Sequence, residues 1–153
     1  MRLKKCFGVL AAALAACPTM TFAFQQVDVS GIHPQTKQEQ LVRVEFIAPE
    51  ELKTKIANNE PVFIVDLRGS SLYAQADKTM KGAVHTKVRR VVHRLREVSR
   101  DMEIVTYCEC PADEAAIIGA RSLLASGFKR VRVLKGGWKA WLQAGGQLRP
   151  RPR

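Results

Sequence analysis

Short apolar runs alternate with amphipathic segments from residue 44 onward. Residues 62–67 (VFIVDL) and 104–107 (IVTY) are largely apolar and β-branched, which is typical of strands buried on both faces. Residues 114–126 repeat alanine, isoleucine and leucine at helical spacing, and Gly127 stands where a C-terminal helix cap belongs. Alternation of strands and helices predicts a parallel sheet that is covered by helices on both faces.

Weaker signals complete this alternation. We expect short strands at 44–47, 82–84 and 131–134, and helices at 49–59, at 90–98 and after the Gly136-Gly137 turn. Pro49 and the two acids that follow it suit the first turn of a helix. Residues 70–81 are polar and irregular, with room for one helical turn. The last five residues alternate Arg and Pro and are expected to be extended.

The first 23 residues have the three-part layout of a secretory signal peptide: a positive start, an apolar Ala-rich run and a small-residue stretch ending at Ala23. The apolar run is too short to cross a bilayer as a mature helix. Cleavage after Ala23 would free the mature protein, whereas Leu14–Cys17 resembles a lipoprotein signal that would attach the chain to a membrane through a lipidated Cys17. Both routes predict export, to the bacterial periplasm or a similar oxidising compartment.

Composition is consistent with a single folded domain. The chain has 153 residues, 46% hydrophobic and 25% charged, which is a globular balance rather than a disordered one. Four cysteines are too few for a disulfide scaffold. The net charge of +11 falls to +8 without the leader, and it favours anionic partners without selecting among them. The predicted organisation is a leader (1–23), an extended connecting segment (24–43), one domain (44–146) and a basic tail (147–153).

Cys108 and Cys110 lie where a predicted strand meets a predicted helix, in the segment YCECPADE. Sites in parallel sheets form at such junctions. Unpaired N–H groups at a helix start lower the pKa of a nearby thiol and can cradle a sulfur atom or an oxyanion. The pattern therefore predicts a reactive cysteine. The three histidines have no metal-ligand spacing, so we expect no metal and no cofactor.

Four segments follow one another in the order and at the spacing of rhodanese-like domains: IVDLR, KGAVH, IVTYC and GFKRVRVLKGGWKAW. Over about residues 44–145 the chain thus resembles single-domain members of that family. The resemblance implies a five-stranded parallel sheet between helices. It also implies a cysteine that takes sulfane sulfur from a small donor, such as thiosulfate or a persulfide, and passes it to a thiol acceptor. No nucleic-acid partner is implied.

The resemblance also assigns roles to residues. Asp66 and Arg68 match an Asp-x-Arg pair that organises the region beneath the active loop, and Gly136 and Gly137 match a double glycine beside the site. A subgroup with a C-x-C-P-x-x-E loop is similar, which favours a role for Cys110 as well. The loop residues expected around the substrate are Glu109, Pro111, Ala112, Asp113 and Glu114.

This loop departs from the family pattern in charge and length. Family loops often carry a basic residue and a glycine after the nucleophile, whereas this one carries three acids. Their carboxylates would raise the pKa of the thiol and repel thiosulfate, unless Asp113 or Glu114 simply caps the helix. The loop is also longer than is common. Counting forward along the strand makes Cys108 the nucleophile, and counting back from Gly127 makes it Cys110; strand continuity favours Cys108.

Three functions fit these observations. The first is a sulfurtransferase that uses a Cys108 persulfide. The second is a thiol redox or persulfide-relay protein that uses both cysteines, because a disulfide across one residue is strained and labile. The third is a binding module that kept the fold and lost the activity, as the acidic loop suggests. The fold alone does not separate them.

Overall fold

The computed structural model describes residues 43–152. The predicted leader, with its two processing routes at Ala23 and Cys17, and nearly all of the connecting segment lie outside the described residues. Between residues 43 and 152, no helix is both long and apolar enough to cross a membrane.

Seven strands and five helices are present in the described part of the chain. In chain order they are β1 (Glu45–Ile47), α1 (Pro49–Ala57), β2 (Val62–Asp66), α2 (Ser70–Gln75), β3 (Lys78–Met80), β4 (Val84–His85), α3 (Val91–Arg94), β5 (Glu103–Tyr107), α4 (Glu114–Ala125), β6 (Arg130–Leu134), α5 (Gly137–Gln143) and β7 (Leu148–Pro150). Two 3-10 turns, Val88–Arg90 and Pro111–Asp113, precede α3 and α4.

Five strands form one sheet in the order β1-β6-β5-β2-β4, and every neighbouring pair is parallel. β5 lies at its centre, with Val105 opposite Ile64 of β2 and Arg132 of β6. Because strand side chains alternate between faces, Ile104 packs with α3 and α4, and Val105 packs with α1 and α5. The predicted five-stranded parallel sheet with helices on both faces is confirmed.

Several element boundaries differ from the sequence prediction. Residues 70–81 contain a full helix, α2, and a strand, β3, where one helical turn was expected. The strand predicted at 82–84 begins at Val84. The helix predicted over 90–98 is shortened to α3, because Leu95 and Val98 continue it only as tight turns.

The C-terminal tail is part of the fold. β7 pairs antiparallel with β3, and Leu148 packs against the core on the α1 and α5 side. The Arg151 N–H also donates to the Asp77 carbonyl at 2.9 Å. The tail is therefore extended, as expected, but its extension comes from strand pairing and not from its Arg-Pro alternation.

Candidate functional site

Cys108 is the residue that follows the central strand β5 directly. Its carbonyl accepts a hydrogen bond from the Trp138 N–H at 2.9 Å, which ties the loop to the start of α5. A disulfide joins Cys108 to Cys110, with 5.7 Å between their Cα atoms. Cys108 is only 1% exposed, whereas Cys110 is half-buried. Cys110 is therefore the more exposed of the two cysteines.

The start of α4 acts on Cys110. The Ala115 N–H, in the first turn of this helix, donates to Cys110 Sγ at 3.4 Å. The sequence predicted a reactive cysteine beside this helix start and favoured Cys108; in the disulfide form it is Cys110 that receives the N–H. The Pro111–Asp113 turn separates the cysteines from α4, with Ala112 and Asp113 in the left-handed region. This turn takes up the extra loop length, so Pro111 begins the turn and not α4.

Asp113 fastens the loop to the double glycine. It occupies the N-cap position of α4, yet its side chain makes no capping hydrogen bond. Instead its Oδ2 accepts the Gly136 N–H at 2.8 Å, and the residue is buried. Gly137 lies so close to the loop that a Cβ at this position would overlap the Cys108 carbonyl oxygen. Asp113 therefore does not cap α4 through its side chain, which was one of the two alternatives for the acidic loop; its carboxylate holds the loop in place.

Asp66 and Arg68 form a fully buried ion pair beneath the loop. Arg68 Nη2 lies 2.7 Å from Asp66 Oδ2, and the Arg68 Nε and backbone N–H also donate to this carboxylate. Tyr107 donates its hydroxyl to Asp66 Oδ2 at 2.6 Å. Burial, together with the negative charge of Asp66, raises the pKa of Tyr107 well above its usual range, so this hydroxyl stays a donor.

Three aromatic rings enclose the Arg68 guanidinium. Its carbon lies 4.2 Å from the Trp138 ring centre, 5.4 Å from that of Tyr73 and 5.8 Å from that of Tyr107. These cation–π contacts and the pairing with Asp66 fix the group in one orientation. Glu109, the residue between the two cysteines, reaches to within 4.0 Å of Arg68 Nη1. Arg68 thus supplies a positive charge directly behind the loop.

A cavity of about 400 Å³ opens beside the disulfide. Its lining residues are Leu67, Arg68, Gly69, Ser70, Leu72, Lys87, Val88, Cys108, Glu109, Cys110 and Ala115. Of the predicted site residues, both cysteines, Glu109 and Arg68 line it, while Asp66, Asp113 and the two glycines support it from below. Pro111, Ala112 and Glu114 lie at the exposed surface outside the lining. Within residues 43–152, no cluster of three His, Cys, Asp or Glu side chains could hold a metal ion.

Sequence reasoning missed the far wall of the cavity. Lys87 and Val88 follow β4, and Ser70 and Leu72 belong to α2, which follows β2. The sequence pattern assigned no role to Lys87. The signal was available, because the carboxyl ends of parallel strands share one edge, and β2, β4 and β5 are neighbours there.

This domain is similar in sequence to a family of known proteins. Residues 48–144 match the family described as Rhodanese-like domain. A sulfurtransferase of Allochromatium vinosum is 31% identical over 108 residues, 67% of this chain and 92% of that protein. YrkF of Bacillus subtilis, a candidate sulfur carrier protein, is 30% identical over 95 residues, 62% of this chain and 49% of that protein.

Solved structures agree on the fold. The solution NMR structure of the rhodanese-like domain of the Alr3790 protein from Anabaena sp. has a TM-score of 0.60 and 28% sequence identity, covering 71% of this chain and 80% of that one. The crystal structure of the Alr3790 protein gives a TM-score of 0.60 at 29% identity, over 68% and 81% of the two chains. The family match spans most of the folded domain, and the chain therefore belongs to the rhodanese-like domain family.

Proposed function

We propose that the protein is a sulfurtransferase that carries sulfane sulfur as a persulfide on Cys108, from a small donor to a thiol acceptor. Membership of the rhodanese-like family and the sulfurtransferase relative support sulfur transfer in general. One observation carries the finer proposal: Cys108 lies at the carboxyl end of the central strand and lines the cavity. Its backbone is held there by the Trp138 N–H.

The reaction is two thiol exchanges in sequence. The Cys108 thiolate of the reduced protein attacks the outer sulfur of the donor; with thiosulfate the S–S bond breaks and sulfite leaves with the electron pair. An acceptor thiolate then attacks the outer sulfur of the persulfide, and the Cys108 thiolate leaves. Each step breaks one sulfur–sulfur bond to the transferred atom and forms another. The cycle therefore needs no net oxidant or reductant.

Cys110 provides a second route by which the bound sulfur can leave Cys108. The Ala115 N–H stabilises its thiolate, because a helix N-terminus favours an anion. That thiolate can attack the Cys108 sulfur of the persulfide, forming the Cys108–Cys110 disulfide and releasing hydrosulfide. An external dithiol must then reduce the disulfide before the next loading. The disulfide of the structure supports this redox role as a second candidate function.

Mass spectrometry tests the transfer. Reduced protein treated with thiosulfate, or with a low-molecular-weight persulfide, is expected to gain one sulfur atom at Cys108. The Cys108→Ser variant should gain no sulfur. The Cys110→Ser variant should gain one sulfur atom and keep it longer, because no Cys110 thiolate is present to attack the persulfide. If Cys108 remains unmodified with both donors, the protein is not a sulfurtransferase of this kind. Partner capture that persists in Cys108→Ala would then favour a binding module.

Thiol titration tests the redox candidate. Protein isolated without reductant should have no free thiol at either position, and one dithiol equivalent should release two. Two free thiols at the outset would exclude the disulfide as a resting form.

We further propose that the chain is exported, on the basis of its predicted leader. A mature N-terminus at Phe24 would support release, and incorporation of labelled fatty acid that is lost in Cys17→Ser would support a lipid anchor. An intact leader on protein from cells would refute both routes.

A further inference from the structure

Arg68 is one of the residues that line the cavity, and its guanidinium has a buried donor without a partner among the residues that the structure describes. The residue is 1% exposed, and its Nε and Nη2 donate hydrogen bonds to the Asp66 carboxylate. Nη1 has no hydrogen-bond partner anywhere in residues 43–152. Oε2 of Glu109 lies 4.0 Å from it, beyond hydrogen-bond length. A cationic donor that is fixed in position and unpaired beside a cavity is suited to bind an anion.

Lys87 adds a second positive charge to the same cavity. It lies on the exposed segment after β4 and lines the cavity together with Arg68 and Cys108. Its ammonium is a flexible point charge that can follow an oxyanion into place, whereas the Arg68 guanidinium is fixed. The remaining lining is mostly apolar or small, with Glu109 the single carboxylate among the lining residues.

We propose that Arg68 Nη1 and Lys87 form an oxyanion subsite for the charged head of a small sulfur compound, and that Glu109 is an internal anion that competes for it. The inference rests on the proposed function, because the subsite matters for transfer through its position beside Cys108. Glu109 is 43% exposed on its side chain, so it can turn into solvent when a ligand enters. The subsite supplies, from β2 and β4, the positive charge that the cysteine loop lacks.

Calorimetric titration with sodium sulfate, an oxyanion that cannot donate sulfur, tests the subsite. Glu109→Gln is expected to bind sulfate about three- to fivefold more tightly than the wild type, and Lys87→Gln about three- to fivefold more weakly, as expected of partly exposed ion pairs. Glu97→Gln and Arg89→Gln are matched controls. Glu97→Gln removes one negative charge, like Glu109→Gln, and Arg89→Gln removes one positive charge, like Lys87→Gln. Both controls lie at exposed positions outside the cavity lining, so their sulfate affinities should stay within about twofold of the wild type.

The outcomes separate the subsite from the transfer reaction. Sulfate affinities of Glu109→Gln and Lys87→Gln that change no more than those of the controls overturn the subsite, as does the absence of saturable binding. Sulfur loading of Cys108 is measured on the same variants with thiosulfate. If Cys108 is loaded with sulfur but the sulfate affinities do not change as expected, the proposed function is supported and the subsite is refuted. If the sulfate affinities change as expected but Cys108 is not loaded, the subsite is supported and the proposed function is refuted. Arg68→Lys should also weaken sulfate binding, but the two exposed positions decide the question whether or not this buried variant folds.

Discussion

Replacing Gly137 by Ala is expected to lower the free energy of unfolding by about 2.5–5.5 kcal/mol and to displace the cysteine loop. Gly137 has φ +51, a left-handed conformation that costs a residue with a Cβ about 1 kcal/mol. The new Cβ would overlap the Cys108 carbonyl oxygen and lie 3.0 Å from Asp113 Oδ1. Relieving this overlap costs about 1–3 kcal/mol as overpacking. It also weakens the Trp138 N–H bond to Cys108, worth about 0.5–1.5 kcal/mol.

Gly127→Ala is the matched control. Gly127 also has a positive φ, +91, but a Cβ there would meet no atom within 4 Å, so only the backbone cost of about 1 kcal/mol applies. Both variants are unfolded with urea in the reduced state, and their sulfur loading is measured with thiosulfate. Gly137→Ala should lose loading and Gly127→Ala should keep it. Equal losses of stability in the two variants would refute the close approach of Gly137 to the loop as the source of the larger effect.

Three further predictions concern the support of the site. Asp113→Ala is expected to lose about 1–3 kcal/mol, because the Gly136 N–H loses its acceptor, and Asp113→Asn less than about 1 kcal/mol; urea unfolding that ranks the two equally would contradict this role. Tyr107→Phe should cost about 1.5–3 kcal/mol through the Asp66 bond. Because burial raises the pKa of Tyr107, wild-type stability should fall as the pH rises above about 10, where the unfolded tyrosine ionises, and Tyr107→Phe should flatten that fall. Deleting residues 148–153 should lower stability by about 2 kcal/mol or more, measured as a lower Tm, since β7 and Leu148 are lost; an unchanged Tm would show that the tail is dispensable.

The central sheet could be predicted because each strand carries its own local signal. β2 and β5 are nearly continuous β-branched and apolar runs, and α4 has helical periodicity up to the glycine that ends it. The β3–β7 pair carries no such signal. Its strands have three residues each, too few to show a period, and most of the domain separates them in sequence. Their pairing depends on tertiary contacts alone.

The sequence indicated the position of the candidate site but not its detailed contacts. Cysteines between a predicted strand and a predicted helix indicated the edge of the sheet at which ligand sites form in parallel α/β folds. The contacts of Asp113 were not accessible in the same way. Its φ of +55 and its partner Gly136, from the turn after β6, depend on how the loop folds over its neighbour. For the same reason the sequence pattern did not indicate that Lys87, which lies on another strand connection, lines the cavity.

The acidity of the loop has a different meaning once its carboxylates are placed. The sequence shows three acids that would together repel an anionic donor. In the structure, Asp113 is buried against the Gly136 N–H, Glu109 faces Arg68, and Glu114 is exposed outside the cavity. Of the three acids, Glu109 is therefore the one that lines the cavity and could act directly on a ligand there. If it competes for Arg68 Nη1, it discriminates between anions: one that hydrogen-bonds to this donor displaces Glu109, whereas one that cannot is repelled by it. The acidic residue between the cysteines then acts in selection of the donor and does not abolish activity.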